Sequence, residues 1–214
     1  MKNKYLLPFA LTTLMAALSG CGGESANIIP ETYDSSTANG ACTPKMNGCV
    51  EFALDYPLDG LNFTCSSDTT NSFISILDLG DGAATGSCRT GDKVTFFIKG
   101  EKDKKINLGV VELNKIARVS TKQVPRLTIL DMAVGITQQE AQALSKDDPT
   151  VRVAMKLAKI FQALALQQNK IDTPTDIQAL YITDAMRLKL ELILSSVTSQ
   201  QIISDEYVNM IKPW

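Results

Sequence analysis

An α+β fold is predicted, with a small disulfide-stapled β-sandwich followed by a helical bundle. Three observations predict it. Hydrophobic residues alternate with period two over about residues 48–113, they recur with a helical period from about residue 137, and four cysteines cluster in or just before the first stretch.

The strands come first. Val50, Phe52 and Leu54 alternate with Glu51 and Ala53, the pattern of a half-buried strand. Tyr56-Pro57-Leu58-Asp59-Gly60 reads as a turn, with Pro57 fixing φ and Gly60 free to take a positive value. Phe73 to Leu77 forms the next strand, closed by the turn Asp78-Leu79-Gly80-Asp81-Gly82. Lys93 to Lys99 is the clearest strand, with Val94, Phe96 and Ile98 on one face. Gly100 to Lys105 turns the chain, and Ile106 to Val111 returns it. Short strands separated by glycine-rich turns suggest a small sandwich, whose modest core the disulfides reinforce.

The helices follow. Thr137 with Glu140 three residues later has the form of a capping box. Asp148-Pro149 opens the next helix, in which Val153, Leu157, Ile160, Phe161 and Leu164 fall on one stripe. Thr173-Pro174 opens a short third helix. A fourth spans Thr183 to Val197 and turns Met186, Leu190, Ile193, Leu194 and Val197 inward. Ser204-Asp205-Glu206 caps a last one that stops before Pro213. Each helix has one apolar face, so a bundle resting against the β part is expected.

The chain has 214 residues, 21 basic and 23 acidic, with no histidine. Lys2 and Lys4 are the charged groups of the first twenty residues, and removing them leaves 19 basic against 23 acidic. That balance offers no electrostatic basis for a nucleic-acid partner, nor for attraction to anionic lipid headgroups. The N-terminus offers a different route to a membrane. A basic start, an apolar run from Tyr5 to Leu18 and the small residues Ser19-Gly20 have the layout of a secretory signal peptide. The run is too short, and too interrupted by Pro8, for a permanent transmembrane helix.

Of the five cysteines, Cys21 directly follows that signal, and Cys42, Cys49, Cys65 and Cys88 remain as an even set. Four cysteines allow three connectivities. Cys42–Cys49 and Cys65–Cys88 are favoured, because the first pair brackets the turn-rich Thr43 to Gly48 and the second lies where neighbouring strands meet. Loop-closure entropy gives such bridges roughly 2.5 and 3.4 kcal/mol. No CxxC and no histidine are present, which argues against zinc or redox chemistry.

The same lack of histidine removes Ser–His and Cys–His nucleophiles, and no GxSxG, SxxK or phosphate-binding glycine loop occurs. Carboxylate pairs could serve glycoside hydrolysis, but Asp78 with Asp81 and Asp147 with Asp148 read as turn and cap residues. Asn62-Phe63-Thr64 matches a glycosylation acceptor of a eukaryotic export route, against which the resemblance of Leu18-Ser19-Gly20-Cys21 to a bacterial lipobox argues. The chain is therefore not expected to be an enzyme.

Leu18-Ser19-Gly20-Cys21 resembles the lipobox of bacterial lipoproteins, in which the cysteine becomes the first mature residue and carries lipid through a thioether. That lipobox, the stretch from Asp55 to Gly109 and the stretch from Leu127 to Pro174 together resemble the pilus-system (Fil-type) lipoproteins of Gram-negative bacteria. The middle stretch is also similar to small immunoglobulin-like or carboxypeptidase-regulatory-like β modules. The resemblance implies an outer-membrane lipoprotein, held by acylated Cys21 in the bilayer and serving pilus assembly or adhesion without catalysis. Gly22, rather than aspartate, after the cysteine is compatible with outer-membrane sorting. Partners are then pilus or envelope proteins and no nucleic acid, and no cofactor is implied beyond the covalent lipid on Cys21. Family members are longer, so the resemblance also implies a further C-terminal portion; if that portion carries the adhesive function, this chain is its anchored stalk. The expected organisation is a signal peptide over 1–20, a lipidated flexible tether over 21–41, a β-rich module over 42–118 and a helical domain over 119–214. The rival expectation is a periplasmic lipoprotein that binds a glycan or a small apolar molecule in a pocket near Phe97 and Phe161.

Overall fold

Val94, Phe96 and Ile98 are fully buried while Thr95, Phe97 and Lys99 are half-buried, so period-two alternation sets the strand that the sequence marks most clearly. The computed structural model describes residues 39–80, 82–116, 124–168, 179–193, 195–212 and 214. Its strands are β1 Cys49–Leu54, β2 Leu58–Asp59, β3 Asn62–Cys65, β4 Asp68–Ile74, β5 Ile76–Leu77, β6 Ala84–Arg89, β7 Lys93–Lys99, β8 Lys105–Glu112, β9 Arg126–Leu127 and β10 Leu180–Tyr181. Its helices are α1 Leu113–Ile116, α2 Ile129–Thr137, α3 Pro149–Gln167, α4 Asp184–Lys189, α5 Ser199–Ile203 and α6 Tyr207–Ile211, with a 3₁₀ turn over Leu190–Leu192. The fold is mixed α+β.

Two four-stranded sheets carry the β part, one ordered β5-β6-β1-β9 and the other β4-β3-β7-β8. Phe52 of the first sheet meets Phe63 and Phe96 of the second edge-on, at centroid distances of 5.3 and 5.7 Å. Edge-to-face rings suit the aromatic quadrupole and fill the space between the sheets. Gly86 of β6 makes room for them, since a β-carbon there would lie 2.7 Å from both the Phe52 and Phe63 rings.

The strand expected over Phe73 to Leu77 is split between these sheets. β4 belongs to one and β5 to the other, and the buried Ser75 marks the switch. The Ser75 hydroxyl donates to Leu58 O at 2.5 Å and accepts from Leu61 N at 3.0 Å, so the kinked backbone is satisfied without water. Leu58–Asp59 lies inside the stretch read as a plain turn. It pairs in parallel with Leu180–Tyr181, while Gly60 takes the expected positive φ of 78°.

The described helices do not gather into the expected bundle. α2 and α3 pack on each other, but α2 also lies along β8, and a single core cluster takes in residues from β1 through to Trp214. Two glycines let α2 approach β8. A β-carbon on Gly135 would sit inside the Val110 carbonyl, and one on Gly109 would strike the Met132 carbonyl. α4, α5 and α6 run only 6, 5 and 5 residues, too short to form a helix–helix seam of their own.

Three helix boundaries differ from expectation. Thr137 does not open a helix; it ends α2, whose true capping box is Thr128 with Asp131. The helix expected from Thr183 to Val197 keeps its Thr183 cap but stops at the 3₁₀ turn, and Val197 is drawn into pairing with β8. Asn107 N donates to Val197 O at 3.0 Å and Val197 N to Lys105 O at 2.8 Å, bonds that a helix would have forfeited. Ser204 to Glu206 supplies no cap for α6, because Asp205 instead pairs with Lys156 at 2.8 Å. By contrast, Asp148 caps α3 and the expected stripe of Val153, Leu157, Ile160, Phe161 and Leu164 is buried. The helix expected at Thr173-Pro174, together with Leu194 and Pro213, lies outside the described residues.

Candidate functional site

Cys21, the signal segment 1–20 and the tether up to residue 38 lie outside the described residues. The remaining four cysteines are paired. Cys42 joins Cys49 with their Cα atoms 5.8 Å apart, and Cys65 joins Cys88 at 5.7 Å. The two bridges differ in place and burial. Cys65 on β3 and Cys88 on β6 are 1 % and 0 % exposed and tie one sheet to the other. Cys42 and Cys49 are only half-buried, and the loop between them is largely exposed.

Asp92 lies beside the inner bridge, and its carboxylate and the two sulfurs come within 4.8 Å of one another. This grouping is not built for a metal. Both sulfurs are spent in the disulfide, and Asp92 accepts from Ser66 Oγ (2.9 Å), Ser67 N (2.9 Å), Ser67 Oγ (2.7 Å) and Arg89 N (2.8 Å). Its work is to hold the β3–β4 turn against the β6–β7 turn.

The outer bridge closes a clamp around the end of β6. On one side β1 pairs with β6, bringing Glu51 opposite Ser87. On the other, Asn39–Ala41, read from sequence as the end of the tether, pair with the same residue. Ser87 N donates to Asn39 O at 2.7 Å, Ala41 N donates to Ser87 O at 2.9 Å, and the Ser87 hydroxyl donates to Cys42 O at 2.6 Å. Asn39 Nδ2 adds a bond to Thr85 O at 2.6 Å. Gly40 is required there, because a β-carbon would sit inside the Ser87 carbonyl. Thr90 N donates to Gly48 O at 2.8 Å, so the 42–49 loop wraps the strand's end. The sequence signals the cysteines of this clamp but not Gly40 or Ser87, whose types are common in any polar linker or strand.

The other candidates serve local structure. Asp78 accepts from Gly80 N at 2.7 Å in its turn, and Asp148 accepts from Thr150 N and Val151 N at the α3 N-terminus. These donors, with Gln142 N foremost, hold the Asp148 carboxyl below its usual range. Asp81 lies outside the described residues. Asn62 is 1 % exposed, so its Asn-Phe-Thr motif is not presented to solvent.

Phe97 and Phe161 have different surroundings. Phe97 sits under the Lys105 ammonium, 6.0 Å from the ring centroid, whereas Phe161 stacks on Tyr56 at 6.0 Å over a small apolar slot. A groove of about 260 Å³ runs instead between β8 and α2, floored by Val110, Val111 and Val134 and rimmed by Lys93, Glu112 and Lys115. Glu112 pairs with Lys93 at 3.4 Å and Lys115 at 3.6 Å, and these ammonium groups hold its carboxyl below the usual range. No helix among the described residues is long and apolar enough to cross a membrane. Comparison with known proteins finds no matching family model, no similar curated protein and no similar solved structure.

Proposed function

We propose that the chain is a bacterial outer-membrane lipoprotein, anchored through acylated Cys21, that acts as a non-catalytic interaction protein in pilus assembly or cell adhesion. The observation that carries this reading is the division of its five cysteines. Four are spent in two disulfides of the folded part, and the fifth ends Leu18-Ser19-Gly20-Cys21 behind a basic and apolar start. Disulfides of this kind belong to an oxidising compartment, where lipoproteins mature and function. Acylation with two or more chains gives stable membrane residence, because each buried methylene contributes roughly 0.8 kcal/mol.

The two sheets that meet across Phe52, Phe63 and Phe96, stapled by Cys65–Cys88, support reading the β part as a small immunoglobulin-like sandwich. The pilus assignment rests on the sequence resemblance. Cys21→Ser and, separately, globomycin block of lipoprotein processing test the reading. Both are expected to remove the protein from the outer-membrane fraction while leaving the disulfides intact, and to reduce pilus display or adhesion. Retention unchanged by either treatment rejects the anchor.

A second reading, a periplasmic ligand-binding lipoprotein, is favoured by the β8–α2 groove alone. Saturable binding of a glycan or small apolar molecule that Val134→Trp abolishes would select it.

A further inference from the structure

We propose that the Cys42–Cys49 bridge is a thiol–disulfide exchange site, and that opening it releases residues 39–48 from the edge of β6. The proposal goes beyond the anchored-lipoprotein reading and stands without it.

The two bridges are unequally placed for attack. An incoming thiolate must reach a sulfur in line with the S–S bond, so access governs rate. Cys65 and Cys88 are sealed between the sheets, at 1 % and 0 % exposure, beside the Asp92 network. Cys42 and Cys49 are half-buried at the chain's edge, and Thr43, Lys45, Met46, Asn47 and Gly48 between them are exposed.

The exchange is balanced with a protein or small-molecule dithiol as co-reactant. One of its thiolates attacks a bridge sulfur, the S–S bond breaks and the other cysteine leaves as thiolate. The second thiol of the reductant then displaces the first cysteine from the mixed disulfide. Two electrons pass to the chain, the reductant ends as a disulfide, and its two protons end on Cys42 and Cys49.

The consequence follows from the clamp. Asn39–Ala41 on one side of β6 and Cys49 on the other are held around Ser87 and Arg89 by a closed loop of sequence separation 7. Without the sulfur link, the bonds to Ser87 and Thr85 must hold Asn39 to Cys42 unaided. The first described residue held to the body then moves from Asn39 to Cys49, ten positions that span at most about 34 Å when extended. In an anchored lipoprotein that extra reach would lengthen the tether.

The test uses the full chain with Cys21→Ser, so that the four bridge cysteines are the only cysteines left. Stepwise dithiothreitol is followed by alkylation and peptide mass mapping, with hydrogen exchange read at the Ala41 and Ser87 amides. Cys42 and Cys49 should be alkylated first, at least about tenfold faster than Cys65 and Cys88. Protection at Ala41 and Ser87 should then fall on the order of fifty-fold, the loop-closure effect of so short a bridge, while Phe96 stays protected. Cys42→Ser with Cys49→Ser should reproduce the opened state, and Gly40→Ala should expose Ala41 with both bridges intact. Simultaneous opening, prior opening of Cys65–Cys88, resistance of both bridges, or retained protection at Ala41 after the outer bridge opens would each overturn the proposal.

Discussion

Arg187 of α4 donates from Nη1 to the side-chain oxygen of Asn62 in β3 at 2.6 Å, joining residues 125 positions apart inside the core. The same guanidinium reaches Lys99 O at 2.8 Å and the Gly60 carbonyl. Burial pulls Arg187 down to about 10, while the carboxylates of Asp184 and Asp59 pull the other way, so it stays charged at neutral pH. Three oxygen acceptors therefore share one cation, of which the Asn62 side-chain oxygen also accepts from Lys99 N at 2.9 Å. Arg187→Leu should destabilise the fold by about 3 kcal/mol, the scale of lost charged hydrogen bonds to buried groups. Arg187→Lys should recover less than about half, since an ammonium cannot match the planar fork. Urea midpoints with an unchanged slope would report both values.

Gly135→Ala should destabilise by about 3 kcal/mol or more, because its β-carbon would occupy the Val110 carbonyl and push α2 from β8. Thr128→Ala, on the same helix, removes half of a capping box and should cost only about 1 kcal/mol. Thermal unfolding of the two variants side by side separates close backbone approach from capping.

The disulfides should rank by loop length and position. Replacing Cys65 and Cys88 with alanine should cost about 3.4 kcal/mol, against about 2.5 kcal/mol for Cys42 and Cys49. The first pair also releases one sheet from the other, so its loss should raise binding of an apolar dye as well. Equal costs would argue against the inner bridge as the structural one.

Acid should loosen α3 through Asp148. Its folded carboxyl is lowered by amide donors of Gln142, Val151 and Thr150 from an ordinary value of 3.8. A depressed carboxyl contributes stability that is present above its unfolded value and lost as pH falls through its folded value. The stability difference between wild type and Asp148→Ala should therefore be seen at about pH 7 and shrink by about pH 2, followed by urea unfolding.

Periodicity made some of this architecture legible. β7 and α3 could be read because each buries one face of a regular element, Val94-Phe96-Ile98 in one and Leu157-Phe161-Leu164 in the other. Long-range contacts hid the rest. Val197 continues a helical stripe in sequence, yet two backbone bonds to β8 take it into a sheet. Thr137-Gln138-Gln139-Glu140 has the letters of a capping box, but the apolar face of Met132, Ala133 and Ile136 places the helix before it. Gly109 and Gly135 carry no signal of the close approach they permit. Arg187 looks like a solvated helix charge until β3 and the Gly60 turn close over it. At the candidate site the cysteine count was legible, whereas the clamp needed the register of Gly40 on Ser87.

Intact and peptide mass spectrometry of the mature protein, purified from membranes of its host, reads the lipid anchor itself. The expected chain starts at Cys21, carries thioether-linked diacylglycerol there, and retains Cys42–Cys49 and Cys65–Cys88. An unmodified Cys21 thiol, or a mature N-terminus at any other residue, would contradict it.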